Sequence, residues 1–231
     1  MNNIHIGKNI KYDYKPFIGS SHTWAMNNIK KENKDISILD IGSSIGMMGS
    51  ILRENGFKNL DAVEVDNKAR KIASKYYNNT YKSIDDATKT YDIVLLLDVL
   101  EHTVDNDKFF KQVVSLLNKN GTLLLSVPNI AHWYPRFSLL FGNFDYKEKG
   151  ILDNTHLRFY TRKTIINFVL AHDNLSIKSV AVSTSSMEMF LSKKIVESFL
   201  YRVFAKLKLA IANLFPRLLG YQHLLVIKKE R

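Results

Sequence analysis

This sequence predicts an α/β fold built on a doubly wound, mostly parallel sheet, and three observations predict it. Apolar runs at 36–42, 60–66, 91–99 and 121–129 recur along the chain, each closed by turn residues. Helical patterns at 46–55, 67–77 and 105–117 separate them. Three of the runs are almost continuously apolar, as expected of parallel strands covered by helices on both faces.

With 231 residues and 45% hydrophobic content, the chain can bury one full core. It reads as a single domain over 1–231, with its core at about 20–184 and 221–229 and a helical insert at about 187–217. There is no cysteine, which excludes a disulfide framework, a thiolate metal site and a cysteine nucleophile, and suits a reducing cytoplasm. The opening "MNNIHIGKNIKYDYKPF" has no apolar core, so no signal peptide is expected. No uninterrupted apolar stretch reaches the about 18 residues of a membrane-spanning helix.

The first run continues into "ILDIGSSIGMMG", which reads as a strand, a tight turn and a helix, with the spacing Asp40-x-Gly42-x-Ser44-x-Gly46. A dinucleotide-binding turn needs glycine at its second position so that backbone can approach a pyrophosphate. Ser44 stands there. Gly42 and Gly46 still let a ligand pass close to the backbone, so the turn suits a nucleoside ligand without phosphates. The second run ends in "VEVD". Glu64 lies 22 residues beyond Gly42, close to the spacing at which a carboxylate takes ribose hydroxyls. Asp66 falls where the next helix takes its N-cap, so Glu64 is the preferred ribose ligand.

The third run opens into "DVLEH" (98–102), at the strand end where open α/β sheets bind ligands. Beyond residue 129 the pattern breaks into an aromatic-rich stretch, punctuated by Pro135, Gly142 and Gly150. This stretch carries "DNTHLRF" (153–159). Asp98, Glu101, His102 and His156 are the chemically suggestive residues of the two motifs. A histidine of near-neutral pKa is a natural general base. A carboxylate with two histidines, Glu101, His102 and His156, also makes a ligand set for a divalent metal. A third reading has Glu101 and His102 capping the next helix. A helix at 164–172 and strands at 175–184 and 221–229 complete the core.

Together, "ILDIGSSIGMMG", "VEVD", "YDIVLLLDVLEH" and "LLNKNGTLLLSVPN" resemble the successive motifs of class I S-adenosylmethionine-dependent methyltransferases, over about residues 20–184. The resemblance implies a Rossmann-like, seven-stranded, mostly parallel sheet with an antiparallel last strand, which "YQHLLVIKK" would supply. It implies S-adenosylmethionine as cofactor, which carries a ribose but no phosphate. Asp40, Gly42, Ser43, Ser44 and Gly46 would line its methionine and ribose side, with Ser44 in place of the family's glycine. Glu64 would hold the ribose diol, 84–86 would flank the adenine, and Asp98 would face the methionine moiety or the acceptor.

"DVLEH" with a downstream "THLRF" is similar to ubiquinone-type O-methyltransferases and to small-RNA 3′-end methyltransferases. In those groups an E-x-x-E-H cluster is linked with Mg²⁺ or another divalent ion. Asp98 departs from the first Glu of that pattern. The stretch from 128 to 164 looks like a MetW-related bacterial subgroup associated with surface-glycan biosynthesis. That likeness would give Asn129, His132, Trp133 and Arg158 to an acceptor pocket. The plainer reading of Trp133, Phe137 and Phe141 is a lid packed over the sheet.

The net charge is +11, and residues 186–231 hold nine Lys/Arg against three Asp/Glu. Read as one helix, 192–215 carries Ile195, Phe199, Val203, Leu207, Ile211 and Leu214 on one stripe. Lys193, Lys194, Arg202, Lys206 and Lys208 lie largely off its centre. Such a helix packs on its own core, pairs with its copy in a homodimer, or lies on an anionic membrane surface. The last would place a cytoplasmic protein peripherally at the inner face of the membrane. The leading expectation is methylation of a small-molecule or glycan-type hydroxyl, lipid-linked acceptors included. The alternatives are an RNA methyltransferase of 2′-O type, and a non-catalytic partner protein that keeps the fold. No basic stripe with interleaved aromatics stands near the expected pocket mouth, which makes nucleic acid the less favoured partner.

Overall fold

A computed structural model of the chain describes residues 17–185 and 191–230. The opening stretch read for a signal peptide, up to residue 16, and residues 187–190 of the insert lie outside the described residues.

Seven strands form one sheet: β1 (Ser37–Ile41), β2 (Asn59–Val63), β3 (Asn79–Tyr81), β4 (Tyr91–Leu97), β5 (Leu117–Pro128), β6 (Leu175–Val182) and β7 (Gln222–Lys229). Their order is β3-β2-β1-β4-β5-β7-β6. β1 to β5 pair in parallel. β7 runs antiparallel to both β5 and β6 and is wedged between them. The doubly wound sheet and its antiparallel last strand are as expected.

The helices α1 (Ser21–Ile29), α2 (Met47–Glu54), α3 (Asn67–Ala73), α4 (Asn106–Ser115), α5 (Trp133–Leu140), α6 (Arg162–Leu170), α7 (Lys193–Glu197) and α8 (Phe199–Leu214) surround it. Alternate strand residues feed two cores. Leu39, Ile41, Leu123 and Leu125 pack with Phe110 and Val113 of α4 and with Ile165 and Val169 of α6. Ile38 and Leu124 pack on the other face with Ala25 and Ile29 of α1, Met48 and Leu52 of α2 and Ala73 of α3. This two-sided burial is why the strands read as unbroken apolar runs.

Four elements depart from the sequence reading, the first being α1, which has no counterpart in it. β3 is only three residues of an edge strand, too short and too polar to show a run. α5 forms within the stretch read as irregular: Pro135 is its third residue, where a missing N–H costs the helix nothing. The expected single helix over 192–215 is broken at Ser198, whose extended backbone (φ −66°, ψ 148°) ends α7 and whose hydroxyl caps α8 through the N–H of Tyr201. Among the described residues, no helix is long and apolar enough to cross a membrane.

Candidate active site

The C-terminal edge of the parallel strands gathers the predicted residues. After β1 the chain turns into α2 through three left-handed residues: Gly42 (φ 77°), Ser44 (φ 50°) and Gly46 (φ 84°). A Cβ on Gly42 would fall 2.4 Å from Cγ2 of Val99, and one on Gly46 would fall 2.8 Å from Cα of Ala73. Both glycines are therefore demanded by close packing of the turn as well as by φ. Ser44 adopts the same conformation with a side chain, at a cost on the order of 1 kcal/mol. Its N–H donates to Oε2 of Glu64 at 2.7 Å, which helps hold it there. The hydroxyl of Ser43 is buried with no hydrogen-bond partner among the described residues.

Glu64 sits at the end of β2, buried, with Oε1 accepting from the N–H of Asp66 at 2.8 Å. Asp66 caps α3 by accepting from Ala69 N–H at 2.7 Å. Asp66 thus takes the N-cap, as expected, and Glu64 does not. Asp40 is also buried, and its Oδ2 accepts from the hydroxyl of Tyr77 at 2.5 Å. The same hydroxyl accepts from Gly49 N–H at 2.9 Å. Burial pushes the Asp40 carboxyl up to about 6; the Tyr77 hydrogen bond opposes this and the neighbouring Glu64 adds to it. Asp40 thus ties β1 to α2 and to the residues after α3. The 84–86 segment is a 3-10 turn after β3, closed by a capping box between Ser83 and Asp86.

Asp98 comes directly after β4, with φ 58°. Its Oδ1 accepts from the hydroxyl of Ser126 on β5 at 2.7 Å, and the Gln222 amide on β7 donates to both its oxygens at 2.6 and 2.5 Å. Gln222 is itself held by the Ser183 hydroxyl at 2.6 Å. Sequence reasoning missed Tyr77, Ser126 and Gln222. Each joins the site through a contact made 28 or more positions away, and no local spacing signals that.

The two motifs "DVLEH" and "DNTHLRF" meet. The Glu101 carbonyl accepts the N–H groups of Leu157 (2.8 Å) and Arg158 (3.1 Å). His102 and His156 pack edge-on, ring centroids 4.8 Å apart. One ligand atom from each of Glu101, His102 and His156 lies within 4.8 Å of the others. Glu101 and His156 are buried. Neither Glu101 nor His102 caps the next helix; Asp105 does, accepting from Lys108 N–H at 3.0 Å.

Nδ1 of His156 lies 3.0 Å from the Ile151 carbonyl, and Nδ1 of His102 lies 3.1 Å from the Thr155 carbonyl. A carbonyl only accepts, so both Nδ1 atoms carry the proton and both Nε2 atoms keep a lone pair when neutral. Burial, before any other cause, holds His156 below the ordinary histidine pKa, reinforced by His102 and opposed by the Ile151 contact.

The acceptor-pocket residues divide. Asn129 is fully buried and spends its amide on the Gly220 carbonyl at 2.8 Å, framing the site rather than lining it. His132 caps α5, with its ring 5.7 Å from that of Tyr221, and burial pushes its pKa down to about 4. Arg158 is exposed and donates to the Val104 carbonyl. The expected aromatic lid is not packed: Trp133, Phe137 and Phe141 are 46%, 57% and 74% exposed. They lie on or at the end of a short helix whose one buried residue is Pro135.

Residues 23–173 match a family model described as a methyltransferase domain. The ubiquinone biosynthesis O-methyltransferase of Rickettsia typhi is 24% identical over 170 residues, covering 68% of this chain and 68% of that protein. The corresponding protein of Rickettsia conorii is 28% identical over 112 residues, covering 43% of this chain and only 38% of that protein. The chain thus spans well under two thirds of the length of some relatives it matches.

Among solved structures, a SAM-dependent methyltransferase from Archaeoglobus fulgidus superposes with TM-score 0.57 at 18% identity, covering 93% of this chain and 96% of that one. Magnesium protoporphyrin IX methyltransferase from Synechocystis PCC 6803 with bound SAH gives 0.60 at 14% identity, covering 91% and 84%. At these identities the structures speak for the fold.

Proposed function

The chain belongs to the methyltransferase-domain family, and from that premise we propose that it is an S-adenosylmethionine-dependent methyltransferase acting on a hydroxyl of a small-molecule or glycan acceptor, lipid-linked acceptors included. One observation carries this reading: Glu101, His102 and His156, from segments far apart in the chain, converge at the strand end that also holds Asp98. The relatives named as O-methyltransferases support an oxygen acceptor.

S-adenosylmethionine supplies an electrophilic methyl group. The residues of the turn fit it. Glu64 offers an acceptor-only carboxylate to a ribose diol, and Ser43 offers a buried hydroxyl with no partner among the described residues. Asp98, held by Ser126 and Gln222, would face the methionine end. His156, whose pKa burial lowers, would receive the acceptor's hydroxyl proton at Nε2, with His102 beside it. Holding acceptor and base together removes much of the entropic barrier.

The same three side chains also make a ligand set for a divalent ion, because carbonyl partners on both Nδ1 atoms fix the rings as metal-ligating histidines are usually fixed; two imidazoles suit a transition metal better than the expected Mg²⁺. An ion there would lower the pKa of the acceptor hydroxyl.

The test is calorimetric titration with S-adenosylhomocysteine, with and without Mg²⁺, and then methyl transfer to sugar-nucleotide, lipid-linked glycan and RNA acceptors. Binding, with transfer to a glycan-type hydroxyl that is lost in His156→Gln, supports the reading. Transfer only to RNA, or no binding of S-adenosylhomocysteine, overturns it.

A further inference from the structure

The apolar stripe of the insert points away from the protein. α8 docks through Ala205 and Ala212, both buried, and through Lys208, whose ammonium donates to the Ser185 carbonyl at 3.1 Å. Those three positions share one face at helical spacing. Val203, Leu207 and Leu214 lie on the opposite face, flanked by Phe199; Phe199 is 78% and Leu214 72% exposed. Arg202 and Lys206, both exposed, run along one edge of this face. The surface continues past the helix, since Leu218 accepts the N–H of Trp133 at 2.8 Å and so brings the exposed aromatics of α5 alongside.

We propose that this face seats the protein on an anionic lipid surface. An exposed apolar patch of this extent marks an interaction site, which leaves the choice of occupant to charge. Arg202 and Lys206 along the edge, with no Asp or Glu anywhere in α8, suit a partner that is apolar inside and negative at its rim, and an anionic bilayer is both. A second copy of the chain would supply the apolar contact but would bring the same cations to face Arg202 and Lys206. No described helix can span a membrane, so α8 lies in the interface with its docked side toward the protein. α5 adds Trp133 and Phe137, both exposed, to this surface. Vesicle binding needs no turnover, so this face is independent of the methyl-transfer reading.

The test uses the full chain in co-sedimentation with vesicles of phosphatidylcholine alone or with about one third phosphatidylglycerol. The chain should bind the anionic vesicles, bind the neutral ones much less, and be released by salt. Leu207→Glu should lower anionic-vesicle binding by about tenfold or more. Arg202→Glu with Lys206→Glu should lower it several-fold. S-adenosylhomocysteine affinity, which reports an intact site, should not change in either variant. No binding to anionic vesicles, equal binding by wild type and Leu207→Glu, or indifference to salt overturns the proposal. A dimer in light scattering that Leu207→Glu abolishes, without vesicle binding, gives the face to a second copy.

Discussion

Glu64 bridges two backbone N–H groups, Ser44 at 2.7 Å with one oxygen and Asp66 at 2.8 Å with the other. It joins the glycine turn to the start of α3 at the point where a ribose would meet both. Glu64→Ala should weaken S-adenosylhomocysteine binding by about 10- to 100-fold, the worth of one or two charge-assisted hydrogen bonds. Glu64→Gln should fall between. Titration calorimetry checks this, and an unchanged dissociation constant for Glu64→Ala would remove Glu64 from the ribose site.

Ser44 holds φ 50° although it bears a Cβ, and only its backbone is used in a hydrogen bond to Glu64. Ser44→Gly should relieve the strain and stabilise the fold by about 0.5–1 kcal/mol, the larger freedom of glycine in the unfolded chain offsetting the rest. Urea denaturation reads the difference. A destabilised variant would show that the serine hydroxyl contributes something its geometry does not display.

His156→Gln should reduce kcat by about 10²–10³-fold while S-adenosylhomocysteine affinity holds. A general base works when neutral, and burial depresses the His156 pKa. The acid limb of the pH–kcat/KM profile should therefore lie below the ordinary histidine value of 6.5 in the wild type and disappear from the residual activity of the variant. An acid limb above that value counts against His156 as the base.

Tyr77→Phe removes the donor to Asp40 and the acceptor for Gly49 N–H, two buried polar groups. The cost should be about 2–3 kcal/mol. Asp40 already has a raised pKa, about 6, so protonation favours its folded form; losing the Tyr77 hydrogen bond raises it further. Stabilisation from the bound proton is full at low pH and is lost as pH rises through the folded pKa. The deficit of the variant should therefore be larger at about pH 7 than at about pH 5, and chemical denaturation at the two values decides it.

Much of this fold is legible in the chain, because strands buried on both faces must be apolar throughout. β1, β4 and β5 announce themselves in that way, and the distance from Gly42 singles out Glu64 as a candidate. β3 does not, since Asn79, Thr80 and Tyr81 at a sheet edge need little apolar surface. Asp98 is identifiable from its place after a strand, but its partner Gln222 lies 124 residues on, a relation that topology creates and spacing does not record. The direction of the stripe on α8 is also hidden. Periodicity fixes which side of a helix is apolar, but which side faces the protein is set by Ala205 and Ala212, two residues that carry no signal in the sequence.

The place of β7 has a consequence for biosynthesis. It is the last of the seven strands to leave the ribosome, yet it lies inside the sheet and carries the glutamine that grips Asp98. Until it is made, β5 and β6 each lack a neighbour they need, and both present open backbone edges of the kind that draw nascent chains into aggregates. A nascent or prematurely stopped chain therefore has neither a closed sheet nor a finished site. The strand made last thus completes the sheet and the grip on Asp98 in a single step.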